Sequence, residues 1–429
     1  MEHLLFAGYL ILFAWLVTKV RFFTRSGLAA AQLVSLFLLK VMVGIFYGWI
    51  GVYYGNMAQM VDTWMFHYQS LAESKLLLAH PTQYLTDLFE SNYNTGYSGF
   101  LGAENSWWNN LDVNAFLKLM GIFNIASFGH YYIDVIFYTF ITLFGPIALY
   151  RVLNDYFTGK RIAVLLAVFF IPSFIYWCSG LHKEGLLFNG IALIIYTFYF
   201  GWKEHKVTWK RIAAVVISVL TLLVFRNYMI MVMLPALLAW AVARKLRWKP
   251  IITFSVMYSF FIVLFFTAPY LSSNLDFPNA VAGKQQQFLR LTGGSEIPTQ
   301  PLQPKFQSFL QNAPEAFNLS ILRPYFSDIR HLLSLAAALE INVLLLLFVV
   351  YLFWNWKRIH LTPFSLFCLF YSFSVLLIIG YIVNFLGAIV RYRSIVLPLL
   401  FVPVIVQVPW GAFGKYLLNI NNKNNVRDL

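Results

Sequence analysis

The sequence predicts an all-α integral membrane protein of about eleven transmembrane helices, and three observations predict it. Hydrophobic residues make up 60% of the 429-residue chain and charged residues only 11%, with a mean hydropathy of +0.69. Apolar runs long enough to cross a bilayer core of about 30 Å recur along its whole length. Between them, lysines and arginines gather in alternate short connections, the pattern that fixes orientation in a membrane. The formal charge of +14 is therefore a topology signal, and no nucleic-acid partner is expected.

The apolar runs fall at Leu4–Val20, Ala29–Tyr54, Tyr131–Leu153, Ile162–Cys178, Gly185–Phe200, Ile212–Phe225, Tyr228–Ala243, Ile251–Pro269, Leu332–Trp354, Pro363–Leu386 and Ile395–Trp410. The first follows Met1-Glu2-His3 without a positive leader or a small-residue cleavage site, so it reads as a retained span. With the N-terminus outside and the C-terminus in the cytoplasm, the inner connections collect most of the chain's 31 basic residues. They include Arg21, Arg25, Arg151, Lys203, Lys206, Arg211, Arg244, Lys245, Arg247, Lys357, Arg358, Lys415, Lys423 and Arg427, while Asp155, Glu204 and Asp428 are the inner acids. Every short, strongly basic loop then falls on one side. Cys178 and Cys368 lie in or beside apolar runs and build neither a disulfide framework nor a thiolate metal site.

Residues 1–429 read as a single polytopic membrane domain with two long outer loops, about 55–130 and 270–330. In the first, Val61, Met65, Tyr68, Leu71, Ala72 and Leu76 recur at helical spacing. Tyr84, Leu85, Leu88 and Phe89, then Val113, Phe116, Leu117 and Met120, mark two further short amphipathic helices at the interface. Trp64, Trp107 and Trp108 suit an interfacial belt. The second loop carries Gln285-Gln286-Gln287, Gly293-Gly294 and Pro298, Pro301, Pro304 and Pro314, which predicts an irregular segment, either a lip over a cavity or a linker.

Ser179-Gly180-Leu181-His182-Lys183-Glu184-Gly185 places three ionisable residues at a hairpin tip. As helices, the flanking runs reach only about 24–26 Å, less than the bilayer core, and Pro172 bends the first. The tip is therefore expected to lie recessed below the membrane surface, where charges line a cavity. Arg226 follows a still shorter run, about 21 Å, at a tight turn. Asp62 opens the first loop helix, with His67 a turn further on. It reads either as a helix-start acid or as a general base held above the membrane. Arg323 closes the second loop, and Arg391-Tyr392-Arg393 precedes the last span. An extended Arg-Tyr-Arg points both guanidinium groups the same way and forms a clamp for phosphate oxygens. Lys40, Asp134 and Glu340 fall inside apolar runs, where an ionised group costs on the order of 3 kcal/mol, so pairing of Lys40 with one of the acids is expected. Asn318-Leu319-Ser320 matches a glycosylation sequon. No Gly-rich phosphate loop, His-rich metal site or nucleophile elbow stands out, so no metal and no cofactor are called for.

The second span, followed by Val61-Asp62-Thr63-Trp64 opening a long helical outer loop, resembles the GT-C class of membrane glycosyltransferases. The Ser179 to Glu184 hairpin and Arg391-Tyr392-Arg393 leading into Ile395-Val396-Leu397-Pro398 are similar to multi-pass envelope proteins of Bacteroidota and bacterial surface-polysaccharide polymerases. The resemblance implies the inner (cytoplasmic) membrane of a bacterium and a sugar donor carried on undecaprenyl phosphate or pyrophosphate, with Asp62 at the position of the family's essential first-loop acid. The paired acids common in that loop are absent, and an extra span precedes it. The expected catalytic residues are Asp62, Glu184 and His182. The expected phosphate-binding residues are Lys183, Arg226, Arg323, Arg391, Arg393 and His67. Membrane lipid, a polyprenyl-linked glycan and envelope-biosynthesis proteins are the expected partners. The competing expectation is a transporter or flippase whose polar path is Lys40, Asp134 and Glu340.

Overall fold

The computed structural model describes the chain except residues 1, 55–61, 91–92, 94–96, 98–100, 103, 247, 356–360 and 411–429. Val61, Arg247, Lys357, Arg358, Lys415, Lys423, Arg427 and Asp428 lie outside the described residues. Among the described residues every regular element is helical. Among them seven helices are long and apolar enough to cross a membrane, or eight if one bent pair is a single span, which leaves the expected count of about eleven unconfirmed.

The first expected span is α1 (Glu2–Val17), only 16 residues, or about 24 Å as a helix. Helix α2 (Ala30–Tyr53) follows as a full crossing. The first long loop then supplies α3 (Asp62–Ala79) and α4 (Trp107–Ser127), with the shorter helix Pro81–Thr86 between them. Three helices were expected here, but the buried face of α3 is not the expected stripe. Met65 and Tyr68 are exposed. The inward residues are Thr63, Phe66, His67 and Ser70, at the same helical period but displaced by one position. Phe66 packs with Phe116 and Met120 of α4 and with Leu181 of the hairpin tip. Burial of each such aromatic is worth roughly 1.5–3 kcal/mol outside the lipid.

Helices α5 (Tyr131–Thr142) and α6 (Phe144–Tyr156) together make one crossing. The run Ile162–Cys178 instead splits into α7 (Arg161–Phe169) and α8 (Pro172–Trp177). Pro172, at the first helical position, starts a new helix because it cannot donate to the preceding turn. Helix α9 (Lys183–Glu204) then crosses, and α10 (Trp209–Leu246) follows as 38 residues with one non-helical residue, Arg226 (φ −158°, ψ 83°). A straight helix of that length would reach about 57 Å. Yet Arg211 near its start bonds Glu204 at 2.6 Å, and Arg244 near its end lies 5.7 Å over Trp202, both in the last turn of α9. Arg226 bonds Glu184, in the first turn of α9, at 2.7 Å. Helix α10 therefore doubles back at Arg226, and its two arms run antiparallel beside α9.

After α11 (Pro250–Leu271), the second long loop is not irregular. It contains α12 (Phe277–Leu289) and α13 (Phe306–Phe317), joined by an extended stretch. Gln285 ties that stretch down by donating to Gln300 O at 3.1 Å and accepting from Leu302 N–H at 2.6 Å. Ala282, Leu302, Phe309 and Ala316 form a small apolar core with Tyr381, at the end of α15. Helices α14 (Leu332–Asn355) and α15 (Pro363–Ile382) cross. The last expected span begins earlier than Ile395, as α16 (Leu386–Ser394), which meets α17 (Leu397–Gln407) at 64°.

Candidate functional site

The hairpin tip is held by its own carbonyl groups. Lys40 of α2 donates to Cys178 O at 2.8 Å and to Ser179 Oγ at 3.2 Å. Thr63 Oγ1 donates to Leu181 O at 3.1 Å, and the Tyr138 hydroxyl donates to His182 O. Glycine is required on both sides of this contact. A Cβ on Gly44 would stand 2.6 Å from Ser179 O, and one on Gly180 would run into the Tyr47 ring. The tip is thus fixed against α2, α3 and α5 before any of its charges is considered.

The intramembrane residues do not pair as expected. Lys40 meets a carbonyl and a hydroxyl at the end of α8, not an acid. Glu340 sits at the other end of α8, accepting from the Ser173 amide and, at 2.6 Å, from Ser173 Oγ. A carboxylate at the start and an ammonium at the end of a short helix both complement its dipole, each by about 0.3–2 kcal/mol. Asp134 faces His67, with Nδ1 3.4 Å from Oδ2, and both are buried. His67, expected among the phosphate-binding residues, thus has a buried carboxyl as its neighbour.

Two arginines leave the expected site. Arg323 pairs with Asp328 at 3.5 Å. Arg393 is fully buried, and its Nη1 donates to the carbonyl oxygens of Ser320 (3.3 Å) and Arg323. The expected Arg391–Arg393 clamp fails because Arg391-Tyr392-Arg393 is helical, and residues two apart on a helix point roughly opposite ways.

Six expected residues do converge: Asp62, His182, Lys183, Glu184, Arg226 and Arg391. Glu184 is completely buried, with Oε1 bonded by Arg226 Nη2 at 2.7 Å and faced by Arg391 Nε at 3.6 Å. Its Oε2 lies against His182 Nδ1. The same nitrogen lies 3.0 Å from the Lys183 amide, so Nδ1 is fully engaged within the hairpin and Nε2 is the ring nitrogen that faces the cleft. There Nε2 stands 3.2 Å from Arg391 Nη1 and 3.8 Å from Asp62 Oδ2. Arg391 bonds Asp62 at 3.0 Å. Asp62, with its side chain 45% exposed, is the member of this group most open to solvent. The His182 ring first, and Arg391 after it, hold its carboxyl well below the usual carboxylate range against the opposing effect of burial.

The sequence reading missed Asp112, which bonds Lys183 Nζ at 2.5 Å. Burial pushes its carboxyl up, and Lys183 opposes that shift. Asp112 is four residues before Phe116 and so shares the inward face of α4, a signal that was available in the spacing. Also missed was Lys284 of α12, which donates to Asn109 Oδ1 at 3.1 Å. Aromatic rings border the cations. The Arg226 guanidinium lies 3.7 Å over Tyr392, and Arg391 stands 5.8 Å over Trp177. The cluster can therefore hold an anion on guanidinium and ammonium groups while a histidine base faces a half-open carboxylate. No protein-family model, curated protein or solved structure matches this chain.

Proposed function

We propose that the chain is a membrane glycosyltransferase or glycan polymerase of the bacterial cell envelope, working at the outer face of the cytoplasmic membrane. It moves a sugar or glycan from an undecaprenyl phosphate or pyrophosphate carrier to an acceptor hydroxyl. The observation that carries this reading is the grouping of Glu184, His182 and Asp62 around Arg391, with Arg226 beside it. Partly exposed Trp177 and Tyr392 add flat apolar faces of the kind that pack against a sugar ring.

In this reading the acceptor hydroxyl donates a hydrogen bond to Asp62, which orients it. As its oxygen bonds to the sugar's anomeric carbon, its proton passes to His182 Nε2. The carbon–oxygen bond to phosphate breaks, and the electron pair leaves on the phosphate oxygen, beside Arg391 and Arg226. Glu184 keeps the ring oriented, and the charged ring then exchanges Arg391 for Asp62 as its neighbour. Lys183, anchored on Asp112, adds positive potential at the rim.

The transporter or flippase alternative drew on Lys40, Asp134 and Glu340 as a polar path, and each of these has a local partner instead. Alanine variants of Asp62, His182 and Arg391, expressed in cells lacking the native protein, test the proposal. Loss of the surface glycan in all three at unchanged protein level is expected. Intact glycan in all three overturns the reading.

A further inference from the structure

We propose that Lys284, delivered by the second long loop, is a ligand for the phosphate group of a polyprenyl-linked substrate. The inference rests on the lipid-linked donor reading and adds a residue to its phosphate site.

Four cations surround the cleft, and three are already matched. Lys183 bonds Asp112, Arg226 bonds Glu184 and Arg391 bonds Asp62. Lys284 donates to a neutral amide oxygen, Asn109 Oδ1, and among the described residues no carboxylate lies within ion-pair distance of it. Tyr392 of α16 and Asp112 of α4 both act electrostatically on it, and its bond to Asn109, one helical turn from Asp112, sets it beside the same cleft. Burial lowers its pKa, as expected for a cation short of a counterion. A cation in low dielectric gains most from a charge supplied by the ligand, and a lipid-borne phosphate brings one.

The loop geometry agrees. Asn109 and Asp112 are one helical turn apart on α4, so Lys284 and Lys183 clip side by side onto one face of it. The next tie between the loops, Arg290 with Glu104, is about two-thirds exposed at both ends and is easily opened. The apolar core of Ala282, Leu302 and Phe309 holds α12 in place, so Lys284 can leave Asn109 for a phosphate without the loop unfolding.

The test uses the full chain in lipid nanodiscs with two probes, farnesyl phosphate and inorganic phosphate, measured by calorimetry. The native protein is expected to bind farnesyl phosphate at least about tenfold more tightly than inorganic phosphate, because the binding site receives a lipid-borne group. Equal affinity for the two overturns the lipid source. Lys284→Met is expected to weaken farnesyl phosphate at least about tenfold, and Lys284→Arg to stay within about threefold. Asn109→Ala removes the same hydrogen bond but keeps the ammonium, so it should bind as the native protein does or more tightly. If Asn109→Ala loses as much as Lys284→Met, or Lys284→Met loses nothing, Lys284 is only a strap and the inference falls. If the binding results hold while no sugar transfer is found, the inference stands and the transferase reading falls instead.

Discussion

The charges around His182 and the charges deeper in the helical bundle differ in what they bond. Lys40 ends on the Cys178 carbonyl, Glu340 on the Ser173 amide and Arg393 on two further carbonyls. Each satisfies backbone groups at a helix end or turn that the apolar surroundings would otherwise leave unpaired. Asp62, His182, Glu184, Arg226 and Arg391 bond one another's side chains instead. Side-chain networks can exchange partners when a ligand arrives, whereas backbone anchors cannot do so without unfolding a turn. For Lys40, Glu340 and Arg393 on one side and the group around His182 on the other, the bonding partner separates scaffold from site.

The largest effect that would break this division belongs to Arg391. Arg391→Ala is expected to slow glycan transfer about 100- to 1,000-fold, followed with radiolabelled sugar in membranes, while the purified variant still unfolds cooperatively. Glu340→Leu should do the reverse. Leaving the Ser173 amide and hydroxyl unpaired costs about 2–3 kcal/mol of stability, read as a lower thermal midpoint, with activity per folded molecule nearly unchanged. A fully stable but inactive Glu340→Leu protein would erase the distinction between the two sets. Gly180→Ala connects them, because the new methyl group must displace the Tyr47 ring. It is expected to cost about 1–3 kcal/mol and to lower activity as well, with Tyr47→Leu restoring part of both.

The smallest effect is a pH dependence. The folded-state pKa of Asp62 lies below its unfolded value, so its contribution to stability is fully present above about pH 4. That contribution is lost as pH falls through the lower, folded-state value. Thermal midpoints of native protein and Asp62→Asn should therefore differ most near neutrality and converge in strong acid. A difference that does not change with pH would mean that the Asp62 carboxylate is unpaired.

Much of the site was singled out by span length. The apolar runs flanking residues 179–184 and the run before Arg226 look short for a bilayer core and Asp62 is the first acid after the second run, although α9 proves to be 22 residues long and takes Lys183 and Glu184 into its first turn. Those arguments need only a rise per residue. What the sequence does not display is the partner. Lys40 and Glu340 bond main-chain groups that every residue carries, so nothing in the residue types distinguishes those bonds from an acid–base pair. The fate of Arg391 and Arg393 depended on whether three residues were extended or helical. The helix break at Pro172 was legible in its chemistry, and the reversal at Arg226 in the tight turn expected there. The start of α16 nine residues ahead of the expected span was not, because Leu386 to Ser394 mixes apolar and cationic residues.

The bracketing of α8 by Glu340 and Lys40 has an electrical consequence. Each elementary charge carried across a membrane potential exchanges about 2.3 kcal/mol per 100 mV, and a helix dipole with one exposed pole would feel the same field. The carboxylate of α14 at the start of α8 and the ammonium of α2 at its end offset that dipole from neighbouring helices, so the segment that leads into the hairpin has both its poles matched by opposite charge.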